Sequence, residues 1–166
     1  MRNKTTKNKA ITKSTDGFIR VISGQFRGRK LPVKDVQGLR PTTDRIKETV
    51  FNWLMQDTRD ANVLDCFAGS GGLGFEALSR FASTALFIEL DPSAAKQLAQ
   101  NIATLKLQNA QVRHTNSLSF LEQKNSKQGR RSLLIFAADR EIKIAMKKNN
   151  YFPRCTKMSI FVSSYI

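Results

Sequence analysis

Gly69, Gly71 and Gly74 stand in a G-x-G-x-x-G spacing directly behind the apolar run Val63-Leu64-Asp65-Cys66-Phe67. Such glycines let the backbone approach a ligand closely, and a helix starting there presents unpaired N–H groups to it. Glu89 follows Gly69 by 20 positions, at the end of a second apolar run, Ala85 to Leu90. A carboxylate at that place can accept hydrogen bonds from both hydroxyls of a ribose. Together these residues describe a nucleotide site. The chain has no G-x-x-x-x-G-K-[ST] segment, which excludes a P-loop NTPase. Asp65 interrupts a run that a dinucleotide site keeps apolar up to its first glycine. A carboxylate there can pair with a cationic group such as the amine of a methionyl moiety. The pattern therefore favours S-adenosylmethionine over NAD, and an NAD-dependent oxidoreductase is the disfavoured rival.

The elements that must position these groups are legible in the hydropathy pattern. Val63 to Phe67 and Ala85 to Leu90 predict buried strands, and Gln111 to His114 and Ser132 to Phe136 predict two more. Phe75 to Phe81 predicts a helix, as does the stretch opening at Asp91-Pro92, with Asp91 as N-cap and Ala95, Leu98, Ile102 and Leu105 as its core face. Ser117 to Leu121 predicts a short helical turn. Upstream, Thr42, Thr43 and Asp44 offer capping side chains, and Ile46, Val50, Trp53 and Leu54 recur at helical spacing. That spacing predicts a helix over 44–55 with Trp53 in the core. Alternating strands and helices imply an α/β fold, a Rossmann-like parallel sheet with right-handed crossovers.

The charge is unevenly spread over the 166 residues, whose net charge is +15. Residues 1–40 carry 11 basic and 2 acidic groups and residues 126–166 carry 9 and 2, whereas residues 61–125 balance at 5 and 5. A neutral core with basic ends suits a nucleic-acid partner, because each Lys or Arg brought to a phosphate releases condensed counterions. Arg20, Arg27, Arg29, Lys30 and Lys34 alternate with Val21, Ile22, Phe26, Leu31 and Val33, as in an ordered β-ribbon with turns at Gly24 and Gly28. No apolar run approaches the roughly 20 residues that span a bilayer. The basic first 15 residues have no apolar core of a signal peptide, so a cytoplasmic setting is expected. Cys66, Cys155 and the single histidine, His114, cannot furnish a zinc site, so no metal is expected. Cys66 reads as a small buried hydrophobe.

Val63 to Gly74 resembles motif I of the class I methyltransferases. Ile19 to Gly24 with Arg27 to Pro32, and Gly38 to Arg45 with Phe51 to Leu54, narrow the resemblance to the RsmD family, over about residues 18–124. That family methylates the exocyclic N2 of a guanine in small-subunit (16S) ribosomal RNA. The resemblance implies that Asp65, Phe67, Gly69, Ser70, Gly71, Gly74 and Glu89 hold S-adenosylmethionine, with Asn116 and Ser117 near the adenine. It also implies that the ribbon residues Arg20, Arg27, Arg29 and Lys30, and the block Arg40, Thr42, Thr43 and Arg45, face RNA, naked or within an assembling ribosomal particle. Methyl transfer would be direct, with neither a metal nor a covalent enzyme intermediate.

The chain departs from this pattern after about Gln123. Amino-group methyltransferases carry Asp/Asn-Pro-Pro-Phe/Tyr behind the fourth strand, holding the target nitrogen by orientation. Here Pro32, Pro41, Pro92 and Pro153 are isolated from one another, and Ala137-Ala138-Asp139-Arg140 follows the fourth strand. Asp139 reads as a solvated loop residue, and no residue is assigned a catalytic role. The abrupt loss of pattern inside a domain is what a shifted reading frame or a truncated product leaves. The expected organisation is a basic tail over 1–17, an RNA-facing ribbon and helix over 18–60, a cofactor-binding domain over 61–136, and a divergent tail over 137–166 that leaves the sheet incomplete. The alternative function is a catalytically inactive RNA-binding relative.

Overall fold

A computed structural model describes residues 17–34, 41–122, 133–137 and 158–162. Arg40, Asp139, Cys155 and the basic tail before residue 17 lie outside the described residues.

The N-terminal ribbon is a hairpin in which β1 (Gly17–Arg20) pairs antiparallel with β2 (Lys30–Val33), Ile19 opposite Leu31 and Arg20 opposite Lys30. Strand alternation puts Ile19, Leu31 and Val33 into the core and leaves Arg20 and Lys30 exposed. Next comes α1 (Asp44–Trp53), capped by Thr43, whose side chain accepts from the Ile46 N–H at 3.4 Å. Leu54 closes α1 and the four-residue α2 (Met55–Thr58) follows, so the helix expected over 44–55 is divided.

Trp53 corrects the expectation of a core position: it is 70% exposed. The buried stripe of α1 runs through Lys47, Val50 and Phe51 and on to Leu54. Its centre lies about 100° around the helix from Trp53. A pattern search passes over a lysine as a core position, which shifts the inferred stripe onto Trp53. Lys47 is buried because its amine has partners: it donates to the Arg20 carbonyl and pairs with Asp44 at 2.9 Å.

The remaining strands form one parallel sheet. It contains β3 (Asn62–Asp65), β4 (Thr84–Glu89), β5 (Ala110–His114), β6 (Leu133–Ala137) and β7 (Met158–Val162), in the order β5-β4-β3-β6-β7. Register places Asp65 beside Phe87 on one side and Phe136 on the other. Among the described residues, α3 (Gly72–Ser79), α4 (Pro92–Thr104) and α5 (Ser117–Glu122) lie between these strands. The α/β class and the strand and helix positions agree with the sequence pattern, with ends displaced by a few residues. β7 falls within the stretch expected to be a divergent tail, and its alternation of Met158, Ile160 and Val162 is itself a strand signal.

The core that holds the sheet to its helices is mainly aliphatic, with aromatic pairs set into it. Phe75 of α3 meets Phe87 of β4 at 4.8 Å between ring centroids, and Phe51 of α1 meets Phe136 of β6 edge-on at 5.9 Å. Each such buried ring contributes about 1.5–3 kcal/mol through apolar burial. Among the described residues no helix is long and apolar enough to cross a membrane.

Candidate functional site

The first turn after β3 is built by glycine. Gly69 and Gly71 have φ of 50° and 78°, and Gly71 serves as the N-cap of α3. The Gly71 N–H closes the turn onto the Ala68 carbonyl at 2.6 Å, and Ala68 in turn donates to the Ile88 carbonyl at 3.0 Å. Gly74 answers a different need. A Cβ there would stand 2.2 Å from the Phe87 ring, so the missing side chain lets α3 lie directly on β4.

Glu89 ends β4 beside this loop. Its Oε2 accepts from the Gly69 N–H at 2.7 Å and its Oε1 from the Asp91 N–H at 2.8 Å. Asp91 caps α4, accepting from the Ser93 and Ala94 N–H groups at 2.8 Å each. At the end of β5, Asn116 Oδ1 accepts from the Leu118 and Ser119 N–H groups at 2.9 and 3.2 Å, capping α5. The Ser117 hydroxyl donates to the Cys66 carbonyl, which ties α5 to the glycine loop. Asp65, Phe67, Gly69, Ser70, Gly71, Glu89, Asn116 and Ser117 thus gather at the carboxyl ends of β3, β4 and β5, where open α/β sheets bind ligands.

Two apolar side chains stand open at this end, Phe67 at 45% exposure and Leu90 at 63%. Sequence reasoning misses Leu90. The signal available is its place as the last apolar residue of a strand, immediately after Glu89. His114 Nε2 lies 2.9 Å from the Leu90 carbonyl and fixes that corner.

The electrostatics favour a cationic ligand. Burial pushes the Asp65 carboxyl up to about 7, and the nearby Glu89 charge adds to it, while the N–H groups of Gly74 and Phe67 pull the other way. The Gly74 N–H reaches Asp65 Oδ2 at 3.2 Å. A positive group on the ligand would relieve both the burial and the like charge. Two carboxylates, a loop of backbone N–H groups and two open apolar side chains fit a cationic nucleoside such as S-adenosylmethionine. Cys66 contributes no nucleophile: burial, then the Asp65 charge, pushes its thiol up to about 12.

The basic groups divide into two sets. Arg20 is committed to Asp44, donating through Nε at 3.0 Å and Nη2 at 2.7 Å. Burial works against the Asp44 charge, but its bonds to Lys47 and Arg20 outweigh this and hold the carboxyl below its usual range. Arg27, Arg29 and Lys30 are exposed on the ribbon and Arg45 on the first turn of α1. Thr43 is used as the helix cap, and Thr42 is half-buried. A shallow cleft of about 240 Å³ runs between ribbon and helix, lined by Arg20, Arg27, Asp44 and Glu48 among others.

A parallel sheet carrying a glycine loop on its central strand and an acid at the end of the next is the fold of the class I methyltransferases. The family described as Conserved hypothetical protein 95 matches residues 19–137. The chain is 59% identical over 113 residues to ribosomal RNA small subunit methyltransferase D of Escherichia coli (strain K12), covering 68% of this chain and 57% of that protein. Against the protein of the same name in Haemophilus influenzae it is 53% identical over 117 residues, covering 69% and 61%. The chain belongs to this ribosomal RNA small subunit methyltransferase D family, and it spans between 57% and 61% of the length of these two relatives. The solved structure of yhhF from Escherichia coli superposes with a TM-score of 0.70 at 44% identity, over 88% of this chain and 80% of that one.

Proposed function

We propose that the chain binds S-adenosylmethionine at the carboxyl ends of β3–β5 and acts in methylating the exocyclic N2 of a guanine in small-subunit ribosomal RNA. The observation that carries this is the Glu89–Gly69 bond beside buried Asp65, within a family whose named members are ribosomal RNA methyltransferases. Bound there, S-adenosylmethionine supplies a methyl group on a sulfonium centre for direct transfer to a nucleophilic nitrogen.

The chain's own residues hold and orient. Glu89 is placed to accept from ribose hydroxyls, and Asp65 to offset a positive charge near the first turn of α3. Phe67 and Leu90 offer apolar surface for a purine, with Asn116 and Ser117 at the same corner. Arg27, Arg29, Lys30 and Arg45, with Arg20 held alongside, form the face offered to RNA phosphates. Arg40, Thr42 and Thr43 belong to the same RNA-facing block in this proposal. A cytoplasmic setting and an assembling ribosomal particle as substrate accompany this proposal.

Calorimetric titration with S-adenosylmethionine, with circular dichroism to report folding, tests the first half. Transfer of labelled methyl to small-subunit RNA tests the second. Saturable binding followed by transfer is expected. Binding without transfer would leave the chain a cofactor-binding role and overturn the methylation half, and a folded chain that binds no S-adenosylmethionine would overturn the proposal.

A further inference from the structure

The turn of the ribbon sits on α3, the helix whose other end opens from the glycine loop. Glu76, fully buried in α3, accepts from the Ile22 N–H at 2.8 Å and the Ser23 N–H at 3.1 Å, and from Arg80 Nε at 2.8 Å. One turn on, Ser79 Oγ accepts from the Phe26 N–H at 2.9 Å and donates to the Ser23 carbonyl. The last carbonyls of α3 are taken by the ribbon as well, Ser79 by the Gln25 N–H at 2.8 Å and Leu78 by Gln25 Nε2 at 3.0 Å. Helix ends carry orphan carbonyls, and here the ribbon satisfies them. Gly24 makes the approach possible: its φ is +80°, and a Cβ there would lie 1.9 Å from the Ser79 carbonyl oxygen.

A second mount lies at α1. Arg20, Asp44 and Lys47 form a chain of ion pairs from β1 to that helix. A Cβ on Gly72 would find Thr42 at 3.8 Å and the Lys47 stem at 3.9 Å, so this mount also borders the glycine loop. A solvated arm requires no buried carboxylate beneath it, because an unpaired buried charge is costly. α3, with 8 residues, is a strut of about 12 Å between ribbon and loop.

We infer that Glu76 is a positioning residue, holding the basic ribbon at a fixed orientation to the glycine loop so that RNA gripped by Arg27, Arg29 and Lys30 is presented to the cofactor end of the sheet. This rests on the RNA-facing role proposed above for the ribbon. Glu76 touches neither ligand and acts through the backbone of Ile22 and Ser23.

The test uses the full chain, purified small-subunit ribosomal RNA and S-adenosylmethionine. In Glu76→Gln the amide cannot accept from two N–H groups and Arg80 together, so affinity for RNA should fall about tenfold. Affinity for S-adenosylmethionine should change less than about twofold, and amide exchange at Ile22 and Ser23 should quicken. A merely structural role would lower the melting temperature and leave the RNA affinity of the folded protein unchanged, which would overturn the inference. Unquickened exchange at Ile22 and Ser23 would overturn it too. Gly24→Ala dislodges the same turn without altering Glu76; it should reproduce the loss of RNA affinity, and it decides the matter if Glu76→Gln does not fold. An Arg27→Ala/Arg29→Ala variant run in parallel separates the two levels. If it too keeps full RNA affinity, the RNA-facing role itself fails; if it alone loses affinity, only the positioning role fails.

Discussion

The Gly69 N–H donates to Glu89 Oε2 at 2.7 Å across 20 residues of chain, joining the loop after β3 to the end of β4 by one charge-assisted bond. The same carboxylate takes the Asp91 N–H through its other oxygen, so one side chain ties the glycine loop to the start of α4. Removing it frees the loop and deletes the proposed ribose acceptor together. Glu89→Ala is expected to weaken S-adenosylmethionine binding at least about tenfold by calorimetry. An unchanged dissociation constant in a folded variant would exclude Glu89 from the site.

On the proposed site, Asp65 should make binding dependent on pH. With its carboxyl pushed up to about 7, the charged form that attracts a cation is lost as pH falls below that value. Affinity for S-adenosylmethionine should rise about tenfold per pH unit up to pH near 7 and level off above it. Asp65→Asn should bind more weakly and show a flat profile. A wild-type titration flat between about pH 5 and 8 would remove Asp65 from the ligand's charge partners.

Stability should follow the opposite course. A carboxyl whose folded value lies above its ordinary 3.8 adds stability that is full below that value and is lost as pH rises through about 7. The melting temperature of Asp65→Asn, relative to the wild type, should therefore rise as the buffer goes from about pH 4 to 7. A constant difference across that range would mean Asp65 does not titrate there.

Gly74 should tolerate no side chain. Gly74→Ala drives a methyl group into Phe87, where 2.2 Å is available, and should cost about 1–3 kcal/mol. Thermal unfolding should shift down by several degrees. An unaltered melting temperature would show that α3 and β4 can separate freely.

The salt dependence of RNA binding should report the ribbon. Changing Arg27 and Arg29 to Ala should lower affinity and reduce the slope of log affinity against log salt by about one for each phosphate no longer neutralised. An unaltered slope would mean that the two guanidiniums do not reach phosphate.

Much of this protein is local enough to be written in its sequence. Runs such as Val63 to Phe67 and Ala85 to Leu90, punctuated by Gly69-x-Gly71-x-x-Gly74 and by Asp91-Pro92, fix strands, loop and helix starts, because each depends on neighbours a few residues away. The place of Glu89 after the second run is enough to locate the acid beside the loop. What the sequence conceals depends on interactions between distant segments. Lys47 is a core residue only because the Arg20 carbonyl and Asp44 receive its amine, and Trp53 is pushed outward as a consequence. Glu76 looks like one charge on an otherwise apolar helix until the Ile22 and Ser23 N–H groups, 54 and 53 residues away, are brought onto it. Residue types and spacing determined the class of fold and the place of the glycine loop in it. Only the tertiary structure decided which charges are buried, because burial of a charge is set by partners that no local pattern names.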